Sequence, residues 1–406
     1  MVGQPFWFDA GPATGDPNIC SMSNKLLLLA TVAFVSGWVA LRGEVGPSTA
    51  SLPPPALTPA TVLDISERVA DWQLANPSKR WEPTLWTQAA FYAGAMALGD
   101  ISRSPRFHEA MMRMGETCGW KLCDYHKSPY NADDHCIGQT YAELFLRHRD
   151  PRMLAAMVER FDFVLAHPKD NNLVFDRTLN PDWRNTWSWC DALFMGPPAW
   201  LRLSAATGKK AYLDFAMEKW WKTSDFLYDP EEHLYFRDST FFAKREANGK
   251  KIFWSRGNGW VLAGLVRVLQ FLPADHPARS RFERQFREMA DRVLACQQAD
   301  GLWHASLLDP ANYPLKETSG SGFFTYGLAW GVNQGLLDRA KFEPAVQKAW
   351  QALVGCVSPD GRLTHVQPVG GSPREFDENS TEVYGVGAFL LAGSEVYRMV
   401  APRGPG

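Results

Sequence analysis

The chain has 406 residues, 46% hydrophobic and 21% charged, which is enough apolar material for a sizeable core in one large domain or two ordinary ones. A formal net charge of -2 gives no electrostatic reason to expect nucleic acid or an anionic membrane surface as a partner. Seven cysteines without a CxxC pair and nine histidines without zinc-type spacing argue against a disulfide framework or a structural metal. Buried free thiols are the expectation, with Cys118 and Cys123 the pair that could bridge.

Residues 1–21 read as an overhang before the true start at Met22. Lys25, an apolar run from Leu26 to Leu41, then Arg42 resemble a secretory signal peptide over 22–43, or an N-terminal anchor if it stays uncleaved. Such a segment implies export, with the periplasm the first choice over the extracellular space. A proline-rich tether follows over 44–60, and the folded domain is expected over 61–402.

From there the periodicity predicts helices over 60–76, 84–99, 105–122, 136–148, 151–167, 187–206, 209–225, 257–271, 281–299, 321–336, 341–356 and 381–399. They alternate in character. The segments around Phe282–Ala290 and Lys341–Trp350 put charge on one face and apolar residues on the other. The segments around Leu85–Met96, Gly322–Gly331 and Tyr384–Gly393 are apolar all round and rich in small residues, the mark of buried helices. Alternating buried and half-buried helices predict an all-α (α/α)6 barrel. An open solenoid is the alternative, but it gives no reason for six buried helices. Sharp turns at Arg149-Asp150-Pro151 and Thr207-Gly208-Lys209 suit hairpins. The longer connections all precede buried helices, which places them together at one end.

That end collects polar and aromatic residues. Asp133, Asp134, His135 and Gln139 begin one inner helix, and Trp187, Trp189 and Asp191 begin the next. Trp254, Arg256, Asn258 and Trp260 follow, then Trp303, His304 and Glu317. Asp191 lies in an apolar, tryptophan-rich run, which raises a carboxyl pKa and suits a proton donor. Arg256, among tryptophans and glycines, has the planar fork that binds a carboxylate. For Asp133, Asp134 and Glu317 helix capping is the simpler reading, and one of the two aspartates is expected to cap. The 17 tryptophans serve as core filler or, beside Asp, Arg and Asn in loops, as sugar platforms.

Asp133-Asp134-x-x-Ile137-Gly138-Gln139-x-Tyr141, Trp189-Cys190-Asp191-Ala192-Leu193-Phe194-Met195, Trp254-x-Arg256-Gly257-Asn258-Gly259-Trp260, Glu317-Thr318-Ser319-Gly320-Ser321 and Tyr384-Gly385-x-Gly387-Ala388-Phe389 together resemble family 105 of the glycoside hydrolases. These are unsaturated rhamnogalacturonyl and related unsaturated glucuronyl hydrolases with an (α/α)6 fold. The resemblance implies an oligosaccharide substrate ending in a 4,5-unsaturated uronic acid, hydrated across the C4–C5 bond, with no metal or cofactor. It implies Asp191 as general acid/base, with Asp133 or Asp134 as its partner and Asp133 preferred. Trp189, Trp254, Arg256 and Trp260 match ligand contacts, and His135 joins that set. The family's histidine after a Leu-aromatic-aromatic run is missing: Leu234-Tyr235-Phe236 leads to Arg237 and Asp238. Arg237 is then a candidate for the uronate carboxylate or a sulfate, and His304 for the missing imidazole. A glucuronyl hydrolase acting on glycosaminoglycan fragments and a non-catalytic sugar-binding toroid are the alternatives. The quaternary state is expected to be a monomer or homodimer.

Overall fold

The structure, a computed structural model, describes residues 57–169 and 172–402. The expected leader and almost all of the expected tether lie outside them. In chain order the helices are α1 (Pro59–Ala75), α2 (Trp86–Gly99), α3 (Arg106–Thr117), α4 (Ala132–His135), α5 (Gly138–His148), α6 (Ala155–Ala166) and α7 (Ala192–Met195). There follow α8 (Pro197–Thr207), α9 (Lys210–Leu227), α10 (Ser255–Leu269), α11 (Arg279–Ala295), α12 (Thr318–Asn333), α13 (Arg339–Val354) and α14 (Val383–Val400). The only paired strands among the described residues are Tyr228–Asp229 and Leu234–Tyr235, antiparallel.

Each of the twelve predicted segments corresponds to a long helix. The two short helices, α4 and α7, are extra turns that sit just ahead of α5 and α8. Contacts run α2–α5–α8–α10–α12–α14 and back to α2, so the inner helices form a closed ring and not an open solenoid. The outer helices cover it. In α11 only Phe282, Gln285, Phe286, Met289, Ala290 and Val293 are buried, a single stripe, whereas α10 is buried along its whole length.

Glycine closes the ring. A Cβ on Gly94 of α2 would lie 2.5 Å from the Gly387 carbonyl oxygen of α14, and one on Gly387 2.2 Å from that of Ala90. Any side chain there would push the first and last inner helices apart. Inner-to-outer turns are short. Gly208 ends α8 at φ 75°, its N–H donating to the Ser204 carbonyl, and Arg149 ends α5 at φ 61°. Outer-to-inner connections are long, at 118–137, 167–196, 228–254, 296–317 and 355–382, and all open at the N-terminal ends of the inner helices.

The other end is closed by charge. Glu143 Oε1 accepts from Arg202 Nε at 2.6 Å and from Arg267 Nη2 at 2.7 Å, with both arginines buried. Arg202 Nη1 also donates to the carbonyls of Pro198 and Arg267. These cations sit where the inner helices end, complementing the negative ends of the helix dipoles. A cavity of about 290 Å³ lies beside them. The six cysteines of the described residues are free thiols, so Cys118 and Cys123 do not bridge.

Candidate active site

Asp191 sits at the tip of a fixed loop. The Cys190 N–H donates to the Arg237 carbonyl at 2.8 Å, Trp189 pairs with Asp238 across an antiparallel bridge, and Thr223 Oγ1 donates to the Trp187 carbonyl at 2.8 Å. The carbonyl of Asp191 then starts α7. Its carboxylate has the Cys190 thiol at 3.5 Å and Arg237 Nε at 3.8 Å. Arg237 also reaches Asp238 with Nη1 at 2.7 Å, and Asp238 is fully buried. The run carrying Arg237 is held from α10. Asn258 donates to the Tyr235 carbonyl at 3.0 Å and accepts the Tyr235 N–H at 2.8 Å. Asn258 therefore serves the site by fixing the Leu234–Arg237 backbone.

Asp133 and Asp134 begin α4, yet neither caps it. Asn131 does, accepting the Asp133 N–H at 2.9 Å, which corrects the expectation that one aspartate would. The two aspartates have separate employments. Asp134 is fully buried and accepts from His126 twice, from the backbone N–H at 3.2 Å and from Nδ1 at 2.7 Å. Asp133 keeps 17% of its side chain accessible and lies 3.9 Å from His126 Nε2.

The electrostatics tie these groups together. Burial, joined by the negative charges of Asp134 and Asp191, pushes Asp133 up to about 6 against the pull of His126 and Arg237. Burial also raises Asp191 above the ordinary carboxylate range, opposed by the charges of Arg237 and Arg256. Burial works against a charge on His126, but its hydrogen bond to Asp134 and the two carboxylates outweigh that and hold its pKa above the usual value. The charge of Asp191 is one of the causes that raise Asp133, so the two carboxylates interact electrostatically.

Five of the expected ligand contacts have other partners. His135 is a core residue: its Nε2 meets the Pro129 carbonyl at 2.8 Å, its Nδ1 accepts from Trp200 Nε1 at 3.2 Å, and burial lowers its pKa to about 4. Trp260 is fully buried inside the ring, against Phe323 and Phe194 at centroid distances of 4.2 and 4.8 Å. Arg256 spends its terminal nitrogens on backbone. Nη1 donates to the Gln367 carbonyl at 2.6 Å and Nη2 to that of Pro368 at 3.0 Å, while the guanidinium lies 4.3 Å from the Trp254 ring centroid. Trp254 donates to the Gln367 side chain at 2.8 Å. Arg256 and Trp254 thus fix the 367–368 loop at the rim, where the sequence suggested a carboxylate fork. His304 is held by Asp300 at 3.2 Å and the Pro310 carbonyl at 3.3 Å, and no contact joins it to the Asp191 group among the described residues. Trp189, two residues before Asp191, is buried and edge-on to Trp183 at 6.3 Å.

Sequence reasoning missed His126, which lies in an irregular loop where no periodicity links it to Asp134. It also missed Trp183, although Asp182-Trp183-Arg184-Asn185 fits the same criterion of a tryptophan beside Asp, Arg and Asn in a long connection. Among the described residues no group of His, Cys, Asp and Glu has the arrangement to hold a metal ion, and no helix is long and apolar enough to cross a membrane.

A closed ring of six helical hairpins carrying acids at the inner rim is the architecture of the six-hairpin glycosidases. Residues 61–400 match the model of Glycosyl Hydrolase Family 88, and the chain belongs to that family and is a glycoside hydrolase. It is 40% identical over 343 residues to an unsaturated 3S-rhamnoglycuronyl hydrolase of Formosa agariphila, covering 82% of this chain and 89% of the relative. Among solved structures, a glycosyl hydrolase family 88 protein from Bacteroides vulgatus superposes with TM-score 0.76 at 30% identity, covering 84% of this chain and 99% of that one. A second, described as a polysaccharide lyase, gives TM-score 0.74 at 35% identity over 84% of this chain and 97% of that one. Solved members of family 105 share the fold.

Proposed function

We propose that this chain releases a 4,5-unsaturated uronic acid from the non-reducing end of oligosaccharides left by polysaccharide lyases, a rhamnose-containing uronate chain being the parent polymer. The observation that carries the reading is the pair Asp133 and Asp191, two electrostatically linked carboxyls whose pKa values burial raises, with Arg237 3.8 Å from Asp191. Displacement at an anomeric carbon is not needed. Asp191 gives a proton to C4 of the enol ether, positive charge develops at C5 and the ring oxygen, and water adds at C5. The hemiketal then opens and the next sugar leaves. Asp133 is the partner carboxylate: it keeps some access, lies within electrostatic reach of Asp191, and orients the water or accepts its proton. Asp134 and His126 form the layer behind and fix where Asp133 stands. Arg237 takes the place of the family's histidine, setting Asp191 in position and drawing in the uronate carboxylate. No step requires a metal or an organic cofactor.

A β-eliminating lyase is the second reading, favoured by the 35% identity to a polysaccharide lyase of the same fold. Absorbance near 235 nm, where the unsaturated uronate absorbs, separates the two by sign. Purified protein on lyase-digested ulvan, rhamnogalacturonan and glycosaminoglycan should make it decay on one digest. A rise on an undigested polymer would instead establish the lyase.

The leader-like composition of residues 22–43 supports export, and the periplasm, where small lyase products arrive, is the compartment proposed. Fractionation of cells together with the N-terminal sequence of the mature chain tests this. Cytoplasmic protein starting at Met1 or Met22 would contradict it.

A further inference from the structure

Resting on that reading, we propose that Phe175 is a positioning residue for the reaction: its ring carries the Arg237 guanidinium and holds that cation beside Asp191. Arg237 is engaged through its nitrogens, with Nη1 2.7 Å from the buried Asp238 and Nε 3.8 Å from the Asp191 carboxylate. Its guanidinium carbon lies 4.7 Å from the Phe175 centroid, within reach of a cation–π contact. A long, rotamer-rich arginine keeps one position only when it is held at more than one point. The acids hold its nitrogens, and the ring gives the cation a surface to lie against. Phe175 is half-buried and Arg237 keeps only 14% of its side chain accessible, so the contact is partly desolvated and stronger than at an open surface.

The ring itself is fixed by several contacts. Phe175 belongs to the connection between α6 and α7, and its N–H donates to Ser239 Oγ at 2.9 Å. Ser239 begins the turn that Asp238 caps by accepting the Thr240 N–H at 2.9 Å, so Phe175 is tied to the segment that carries Arg237. Asn180, buried, donates to the carbonyls of Asn172 at 2.7 Å and Val174 at 3.1 Å, which sets the backbone just ahead of the ring. Trp183 meets the ring edge-on at 4.4 Å. The Arg237 backbone is held separately, its carbonyl accepting the Cys190 N–H at 2.8 Å. One connection therefore grips Arg237 twice, by the backbone next to Asp191 and by the guanidinium at Phe175.

The contact is read first without substrate, from the Nε–H resonance of Arg237 in the isotope-labelled full chain, assigned by its loss in Arg237→Lys. The ring current should displace this resonance in wild type and in Phe175→Tyr. The displacement should vanish in Phe175→Leu, which keeps apolar bulk but has no π face. Kinetics near 235 nm on the lyase digest that wild type consumes then read the consequence. Phe175→Leu should lower kcat/KM at least about threefold, the size of a partly buried cation–π contact, and Phe175→Tyr should restore it. In an Arg237→Gln background Phe175→Leu should cost nothing more, because the cation that the ring positions is gone. A resonance that stays in place in Phe175→Leu, an equal kinetic loss in both backgrounds, or a Phe175→Tyr as impaired as Phe175→Leu would overturn the proposal. A wild type that consumes no digest would defeat the hydration reading alone, and the resonance would still decide whether Phe175 holds Arg237.

Discussion

Arg237 stands 3.8 Å from the carboxylate of Asp191 while its other face is bonded to the buried Asp238 at 2.7 Å. The cation is thus held by one acid and lent to another. Its charge pulls the Asp191 pKa down against the burial that raises it. Replacing Arg237 by Gln removes that pull, so the proton on Asp191 should persist to higher pH. The alkaline limb of kcat/KM should move upward, while the rate at the optimum falls. Arg237→Lys should leave the limb nearly where it is. An unmoved limb in Arg237→Gln would take Arg237 out of the electrostatics of the acid.

Asp133 titrates near pH 6 because burial and two neighbouring carboxylates disfavour its charge. Because Asp191 is the donor and burial raises its pKa, kcat/KM of the free enzyme should fall on the alkaline side as Asp191 loses its proton. In Asp133→Asn one of the negative neighbours is gone, so the Asp191 pKa drops and the limb shifts toward acid, on top of a large fall in rate. Stability has the opposite sign. The folded-state pKa of Asp133 is raised, so its stabilising contribution is complete below the unfolded value near 4 and is lost as pH climbs to about 6. At pH 7 Asp133→Asn should melt at or above the wild-type temperature, read by calorimetry at both ends of that window.

Asp134 should behave differently. It is buried and holds His126 through two bonds. Asp134→Ala removes the main support of the raised His126 pKa, leaves that half-buried imidazole without its carboxylate, and should cost about 3–5 kcal/mol of stability, the usual cost of breaking a buried pair. Activity per folded molecule should fall less than in Asp133→Asn. Urea unfolding beside single-substrate kinetics checks both parts.

The far end of the barrel supplies a control. Glu143→Ala strands Arg202 and Arg267, both buried, and should destabilise by a similar amount, about 3–5 kcal/mol. The KM and kcat of the protein that remains folded should not change, because this cluster closes the end opposite the site.

How much of this was legible in the sequence follows from the type of signal. Hydrophobic alternation located all twelve long helices, since a helix inside a ring must be apolar all round and one outside must not. α10 and α11 display the contrast. The buried setting of Asp191, which raises its pKa, was legible because the carboxylate lies in an apolar, tryptophan-rich run. The roles of Arg256, Trp260 and His135 were not, because adjacency along the chain does not say which way a side chain faces. Arg256 turns to the carbonyls of Gln367 and Pro368, more than 100 residues away. The choice between Asp133 and Asp134 depended on His126, which reaches them from an irregular loop.

The measurement that bears most directly on the mechanism compares wild type with Asp191→Asn on the lyase digest that wild type consumes, at 235 nm, with the fold of both checked by circular dichroism. Asn keeps the shape of Asp191 but can neither donate nor hold the proton, so the absorbance should decay in wild type and stay flat in the variant. A folded Asp191→Asn that retains half the wild-type rate would contradict Asp191 as the proton donor.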